Sequence, residues 1–346
     1  MLIDYLILKV YSHMKEERTL YGVFHLLKGK QSIQTVQDAH LYNLTAFYGI
    51  YKDLTIKEYN LILQNLIKKQ FIEITNDSDK YIITHKGREF LTENKYSKLK
   101  FYGMQYNNVA PAFYKRLLLF IQVWTNSNQK SVKYVPIVEN IYVEDFIKRL
   151  YKERRTKVKE DIINLYSELS TILKTIPDKY ALIYVERLTG YKYFGLSIDQ
   201  LSQKYKLSRH TVELIITYVN HQIIFAINEN ELKYKLLRLL VRDIINNNHL
   251  TISASKTYQL FKQNKSLQDI ANIRNLKLNT IYDHIIEIAL YDINFKINKF
   301  VTNEEANEII NYVETFKTFK LKEIKENISE HITYFQIRLV LATLNL

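Results

Sequence analysis

Residues Ser197–Ile216 (SIDQLSQKYKLSRHTVELII) and Ser266–Ile285 (SLQDIANIRNLKLNTIYDHI) follow one twenty-residue grammar, 69 positions apart. A serine opens each as a helix cap, and Gln200 or Asp269 three residues on can bond back to it. A short helix follows, in which an apolar residue precedes a small one: Leu201 and Ser202, or Ile270 and Ala271. A polar turn ends in a leucine expected to be buried, Leu207 or Leu276, and a second helix begins around Thr211 and Val212, or Thr280 and Ile281. This is the pattern of a helix-turn-helix, which lays its second helix across a nucleic-acid groove. The residue closing the first helix must turn left-handed. Asn275 does so comfortably, whereas Lys206 pays about 1 kcal/mol. The pairs Leu207 with Val212 and Leu276 with Ile281 supply each unit's internal core.

The rest of the composition narrows the class. A chain of 346 residues with 47% hydrophobic content can fill two or three packed domains. Three prolines and seven glycines are too few for a turn-rich β-sandwich, and the apolar spacing is mostly helical. With no cysteine there is no disulfide, thiol nucleophile or thiolate metal site. No apolar run approaches the roughly 18–20 residues of a bilayer span. The opening MLIDYLILKVYS carries Asp4 and Lys9 and leads to no small-residue cleavage site, so a soluble cytoplasmic chain with no membrane partner is expected. The fold class expected is mainly α, a multi-domain helix-turn-helix protein with one small β-hairpin.

Four segments are expected. Residues 1–95 read as a winged-helix-like domain, with helices over Leu2–Tyr11 and Thr19–Lys28. A capping box at Thr55 and Glu58 starts a third that runs to about Lys69. Strands at 71–75 and 80–84 flank a turn at 76–79, and Thr84 caps a further helix. Such a module serves DNA contact, homodimerisation or protein docking, and the mildly basic face of 55–69 (Lys57, Lys68, Lys69) favours the latter two. Residues 96–110 read as a polar, aromatic-spotted linker. Residues 111–248 form a central helical domain holding the first copy, with an amphipathic helix at Leu232–Ile245 and a hinge at 246–249. Residues 251–346 hold the second copy, a helix capped at Thr302, and a closing helix at Ile332–Leu344.

Net charge is +13, unevenly spread: 15 Lys/Arg against 11 acids in residues 1–100, 22 against 14 in 101–250, and 12 against 11 in 251–346. The basic centre favours a polyanion. Within it Lys148, Arg149, Lys152, Arg154, Arg155, Lys157 and Lys159 stand against Glu153 alone, too one-sided for an ion-pair lattice. Nucleic-acid backbone is the expected ligand of that ridge, a solvated helix face the alternative. The first copy offers Ser208, Arg209, His210 and Thr211 at the start of its second helix, flanked by Lys204 and Lys206, for phosphate or guanine contact. The second offers Lys277, Asn279, Thr280 and Tyr282, but Asp283 and Glu287 oppose phosphate, so protein docking suits it equally. The 28 tyrosines and 16 phenylalanines could stack on single-stranded bases, but they are spread evenly and read mostly as core or amphipathic surface.

No catalytic signature emerges. Gly22 and Gly29 before Lys30 are spaced wrongly for a phosphate loop, and Gln31 stands where Ser or Thr is needed. The nine histidines never pair at metal spacing. A non-enzymatic protein with no cofactor and no metal is expected.

The first copy, with Leu196, Ser197, Leu201, Ser202, Tyr205, Leu207, Ser208, Thr211 and Val212, resembles the DNA-reading region of sigma-type factors. The second, through Thr257, Leu260, Phe261, Ser266, Ile270, Ala271, Arg274, Leu276, Thr280, Ile281, His284 and Glu287, resembles the helicase-associated helix-turn-helix domain at the C-terminus of some RecQ-type DNA helicases. Over its whole length the chain is similar to the YpbB family, stand-alone proteins that carry this domain at the C-terminus. That resemblance implies an accessory protein of a RecQ-type helicase, nucleoid-associated and acting in DNA repair, recombination or fork maintenance, with no unwinding activity of its own. A helix-turn-helix transcription regulator and a protein-only docking scaffold are the rival expectations.

Overall fold

The computed structural model describes residues 1–14, 17–74, 81–131, 133–245 and 250–344. Among these the regular structure is helical except for one two-stranded antiparallel hairpin. The N-terminal part begins with α1 (Leu2–His13), whose run from Leu2 through Leu8 is buried on every side, Asp4 included. That apolar opening is a core helix. α2 (Leu20–Lys28) ends on Gly29 at φ +71°, and α3 (Ile33–Leu41) starts on the Ser32 cap. Sequence spacing does not announce α3, because three of its buried residues are polar: Thr35, Gln37 and Asp38. Asp38 accepts a two-nitrogen grip from Arg18 at 2.9–3.2 Å.

α4 (Ile56–Lys68) carries the expected capping box between Thr55 and Glu58. Its end is tied down by Lys69, whose Nζ lies 2.6 Å from the buried Asp4 carboxylate. The hairpin of β1 (Ile72–Ile74) and β2 (Tyr81–Ile83) pairs Ile72 with Ile83 and Ile74 with Tyr81; the turn expected at 76–79 lies outside the described residues. Thr84 caps α5 (His85–Thr92) through the Gly87 N–H. A Cβ at Gly87 would stand 2.3 Å from the Phe71 carbonyl oxygen, so only glycine lets the helix start lie against the strand.

Residues 96–110, expected as a linker, are packed instead. Tyr96, Phe101 and Tyr106 are buried, and α6 (Gly103–Tyr106) presses so close to residues 46–48 that only a glycine fits at 103. The aromatic residues that spot this segment are its anchors.

In the central region α7 (Ala110–Asn128) packs on α8 (Ile141–Arg154) and α9 (Val158–Leu173). Trp124 of α7 is fully buried and donates its Nε1–H to Asp161 of α9 at 3.0 Å. α10 (Asp178–Val185), α11 (Ile198–Tyr205) and α12 (Arg209–Glu229) follow, and α12 packs against α1, α7, α9 and α10. The helix expected over Leu232–Ile245 shrinks to α13 (Lys235–Leu239). Tertiary bonds take its ends: the Glu168 carboxylate accepts the N–H groups of Leu236 and Leu237, and Arg116 donates to the Leu240 carbonyl. The hinge expected at 246–249 lies outside the described residues.

The C-terminal part comprises α14 (Ile252–Lys262), α15 (Leu267–Arg274), α16 (Leu278–Tyr291), α17 (Asn303–Phe316), α18 (Leu321–Glu326) and α19 (Tyr334–Thr343). α16 is its hub, packed on α14, α15, α19 and, across the molecule, on α3. Thr302 and Thr333 each start their helices with a full capping box. No helix among the described residues is long and apolar enough to cross a membrane.

At the centre, the buried His221 of α12 accepts the Tyr102 N–H on Nδ1 at 3.1 Å. Burial lowers its pKa to about 3, against about 6.5 in an unfolded chain. The unfolded chain therefore takes up a proton that the fold refuses. The contribution to stability is full above about pH 6.5 and declines below it by up to about 1.4 kcal/mol per pH unit. Between pH 7 and pH 5, urea unfolding should show the wild type losing about 2 kcal/mol more than His221→Asn. Equal losses would contradict the assignment.

Candidate nucleic-acid interface

Both repeated units fold as helix-turn-helices. In the first, Ser197 and Gln200 make the reciprocal cap, and Lys206 turns left-handed at φ +51°. The Ser202 hydroxyl donates to the Leu207 carbonyl at 2.5 Å, which satisfies an acceptor in the turn. In the second, Asn275 turns at φ +50°, but the capping is one-sided. Asp269 is a methylene shorter than Gln200; its carboxylate takes the Ser266 hydroxyl at 2.7 Å and not the backbone N–H. Leu207 and Leu276 are half-buried against the core, less covered than expected.

The candidate contacts of the first copy separate by surroundings. Thr211, expected to suit phosphate, is 1% exposed, and its hydroxyl meets that of Ser208 at 2.9 Å. Ser208 itself caps α12 by accepting the Thr211 N–H. His210 places Nδ1 2.6 Å from the hydroxyl of Tyr51, a residue 159 positions away in the N-terminal part. That hydroxyl donates to the Glu213 carboxylate. Burial, then Glu213, drive the Tyr51 pKa far above the usual tyrosine range, so it stays a donor. No local sequence signal marks Tyr51. Arg209 remains more than half exposed, though it reaches Glu213 at 3.1 Å and Asp199 at 3.5 Å. Lys204 and Lys206 are exposed, Lys204 beside Glu186 at 2.6 Å.

The second copy turns its outer face inward. Thr280, Asp283, His284, Glu287 and Tyr291 line a cleft of about 920 Å³ together with residues 30–34, Val36 and Tyr48. That is the scale of a small-molecule cleft, not of a groove that seats a duplex. Asp283 pairs with Arg338 at 2.9 Å, and Tyr282 stacks on Phe335 with ring centres 4.2 Å apart. Glu287 accepts the Thr251 N–H, and burial raises its pKa. Burial and then Arg274 lower that of His284, which keeps it neutral against the Thr257 hydroxyl. Of this copy's candidates Lys277 and Asn279 are exposed, and Thr280 and Tyr282 are half-buried.

The basic run occupies a corner rather than one helix. Lys148, Arg149 and Lys152 lie on α8, Arg155 and Lys157 in the bend, and Lys159 on α9. All six are exposed. Arg154 differs: it grips the fully buried Asp161 at 2.5 and 2.9 Å, its Nε sharing Oδ2 with the Trp124 Nε1–H. Lys148 is 3.6 Å from Glu144 at 64% exposure, a pair weak enough to open for another anion. Among the described residues no group of three or more His, Asp or Glu is placed to hold a metal ion.

Capped helices joined through left-handed turns, with cations around the first copy, define a helix-turn-helix protein. Residues 253–341 match the family model of a helix-turn-helix domain. Across 342 residues, 98% of the chain and 96% of the relative, the sequence is 33% identical to Protein YpbB of Bacillus subtilis (strain 168). The chain belongs to the YpbB family. No solved structure matches it.

Arg154→Ala would strand the Asp161 carboxylate in the core and should cost about 3 kcal/mol or more in urea unfolding. Lys152→Ala and Arg155→Ala should each cost less than about 0.5 kcal/mol. If Arg154→Ala proved as mild as its neighbours, the residue would rejoin the solvent-facing corner.

Proposed function

We propose that this is a non-enzymatic DNA-binding accessory protein of a RecQ-family helicase, acting in repair, recombination or fork maintenance. Six exposed cations at the α8–α9 corner, where only Glu153 intervenes in the run, carry the DNA-binding part of this reading. Lys204, Lys206 and Arg209 add a second exposed cationic surface at the first helix-turn-helix. Contact is to phosphates, because the side chains that would read bases are paired within the protein: Arg209 with Asp199 and Glu213, His210 with Tyr51. The helicase partnership is supported by the resemblance of residues 251–346 to a helicase-associated domain. It assigns the C-terminal part to docking, with the acids Asp283 and Glu287 away from DNA. A second copy of this chain could join through α4 and the hairpin, where Leu61 and Ile74 are exposed, and nucleoid association would follow from DNA contact.

Titrating random duplex and forked DNA at two salt concentrations tests the DNA-binding part. Phosphate binding predicts little sequence preference and a steep salt slope, about 0.9 per neutralised phosphate. Reversing Lys148, Arg149, Lys152 and Arg155 to Glu should weaken every duplex and lower that slope by about 3–4. One tightly preferred sequence with an unchanged slope would favour the transcription-regulator reading. Co-purification with a RecQ-type helicase, with and without forked DNA, tests the partnership; absence of any complex would end it.

A further inference from the structure

We propose that the turn at Gly190–Gly195, beside the first helix-turn-helix, is a stacking platform for unpaired bases of single-stranded DNA. The inference rests on the DNA-binding reading above and adds a second ligand form to it. The turn is a fixed object. Gly190 and Tyr193 exchange both backbone hydrogen bonds, at 2.9 and 3.2 Å, and Lys192 closes the loop at φ +58°. Three further bonds pin it: Tyr191 N–H to the Thr125 hydroxyl, Gly195 N–H to the Thr189 hydroxyl, and Leu196 N–H to the Glu186 carbonyl. A Cβ at Gly195 would stand 2.2 Å from the Arg187 carbonyl oxygen, so the backbone lies directly on the segment after α10.

On this rigid turn Phe194 is 83% exposed and Tyr193 52%. A flexible loop would fold such rings onto the surface. This one is anchored on both sides and holds them in water, the arrangement that leaves a π-face free for a ligand. The charge around them is cationic. Lys192 stands over the Tyr191 ring at 5.4 Å, while Lys204 and Lys179 stand near the Tyr205 ring at 5.6 and 5.9 Å. Tyr193 lies near enough to Lys204 and Tyr205 to influence both, which joins the turn to α11. Lys206 is exposed one residue further on, and Glu186 is the acid paired into the group. Flat aromatic faces among lysines match a ligand that alternates flat bases with phosphates. An apolar peptide would cover the rings and leave the lysines without partners. The turn also ends at Leu196, directly before the Ser197 cap of the helix-turn-helix, so a strand leaving a duplex there would meet it.

Fluorescence anisotropy on the full chain separates the possibilities, with one labelled duplex made blunt and again with a single-stranded overhang. The wild type should bind the overhang form about tenfold more tightly, as expected of one or two stacked bases. The double variant Tyr193→Ala with Phe194→Ala should lose that gain and keep its affinity for blunt duplex; Phe194→Trp should keep the gain. Both altered side chains are exposed, and an unchanged unfolding midpoint would establish that the fold survives. Equal binding of blunt and overhang DNA by the wild type overturns the platform, as does a gain that persists in the double variant, leaving the turn to a protein surface. Failure to bind either DNA form would remove the DNA-binding reading along with it.

Discussion

The N-terminal part holds both helix-turn-helix units at once, and the arrangement of the molecule depends on that double grip. On one side Tyr51 hydrogen-bonds His210 and Glu213 at the start of α12. On the other, α3 packs against α16 and α19, with Gln37 donating to the Arg338 carbonyl at 2.7 Å. Nearby, the Phe319 N–H donates to Glu17 at 2.9 Å, and the Tyr42 ring meets the Phe319 ring edge-on. These contacts join residues some 160 to 300 positions apart in sequence. Bonds with a charged, partly desolvated partner are the stronger kind, so Tyr51–Glu213 and Glu17–Phe319 are the costliest of these to break.

Two units with the same local grammar thereby acquire different surfaces. The first unit keeps Lys204, Lys206 and Arg209 toward solvent, Lys204 and Arg209 held in place by acids of their own neighbourhood. α16 presents Thr280, Asp283, His284 and Glu287 to a cleft shared with the N-terminal part. The same fold is used once at the surface and once as an internal joint. The near-neutral charge of residues 251–346 agrees with that division, since a face with no phosphate to meet gains nothing from a surplus of lysines.

What could be read from the chain was whatever rests on neighbours within about five positions. The serine and threonine caps, the left-handed turns at Lys206 and Asn275 and the helical class are all of this kind, and the hairpin reaches only about twice as far. What could not be read depends on partners far along the chain. Residues 96–110 look polar, yet Phe101 and Tyr106 are buried against α12 and its neighbours. Arg154 sits in a basic run and nonetheless belongs to the core, because Asp161 lies one helical turn into α9. Thr211 resembles a phosphate contact and is spent on its own helix cap. Within the candidate interface, residue type and spacing located the cations, while their availability was decided by Glu213, Glu186 and Asp161.

Hydrogen–deuterium exchange with and without bound duplex DNA tests the division of labour most directly. Slowed exchange is expected at the α8–α9 corner and at the start of α12, with residues 278–291 unchanged because the face they turn to the cleft carries the acids Asp283 and Glu287. Protection of 278–291 equal to that at 209–217 would contradict it and return the two units to equivalent roles.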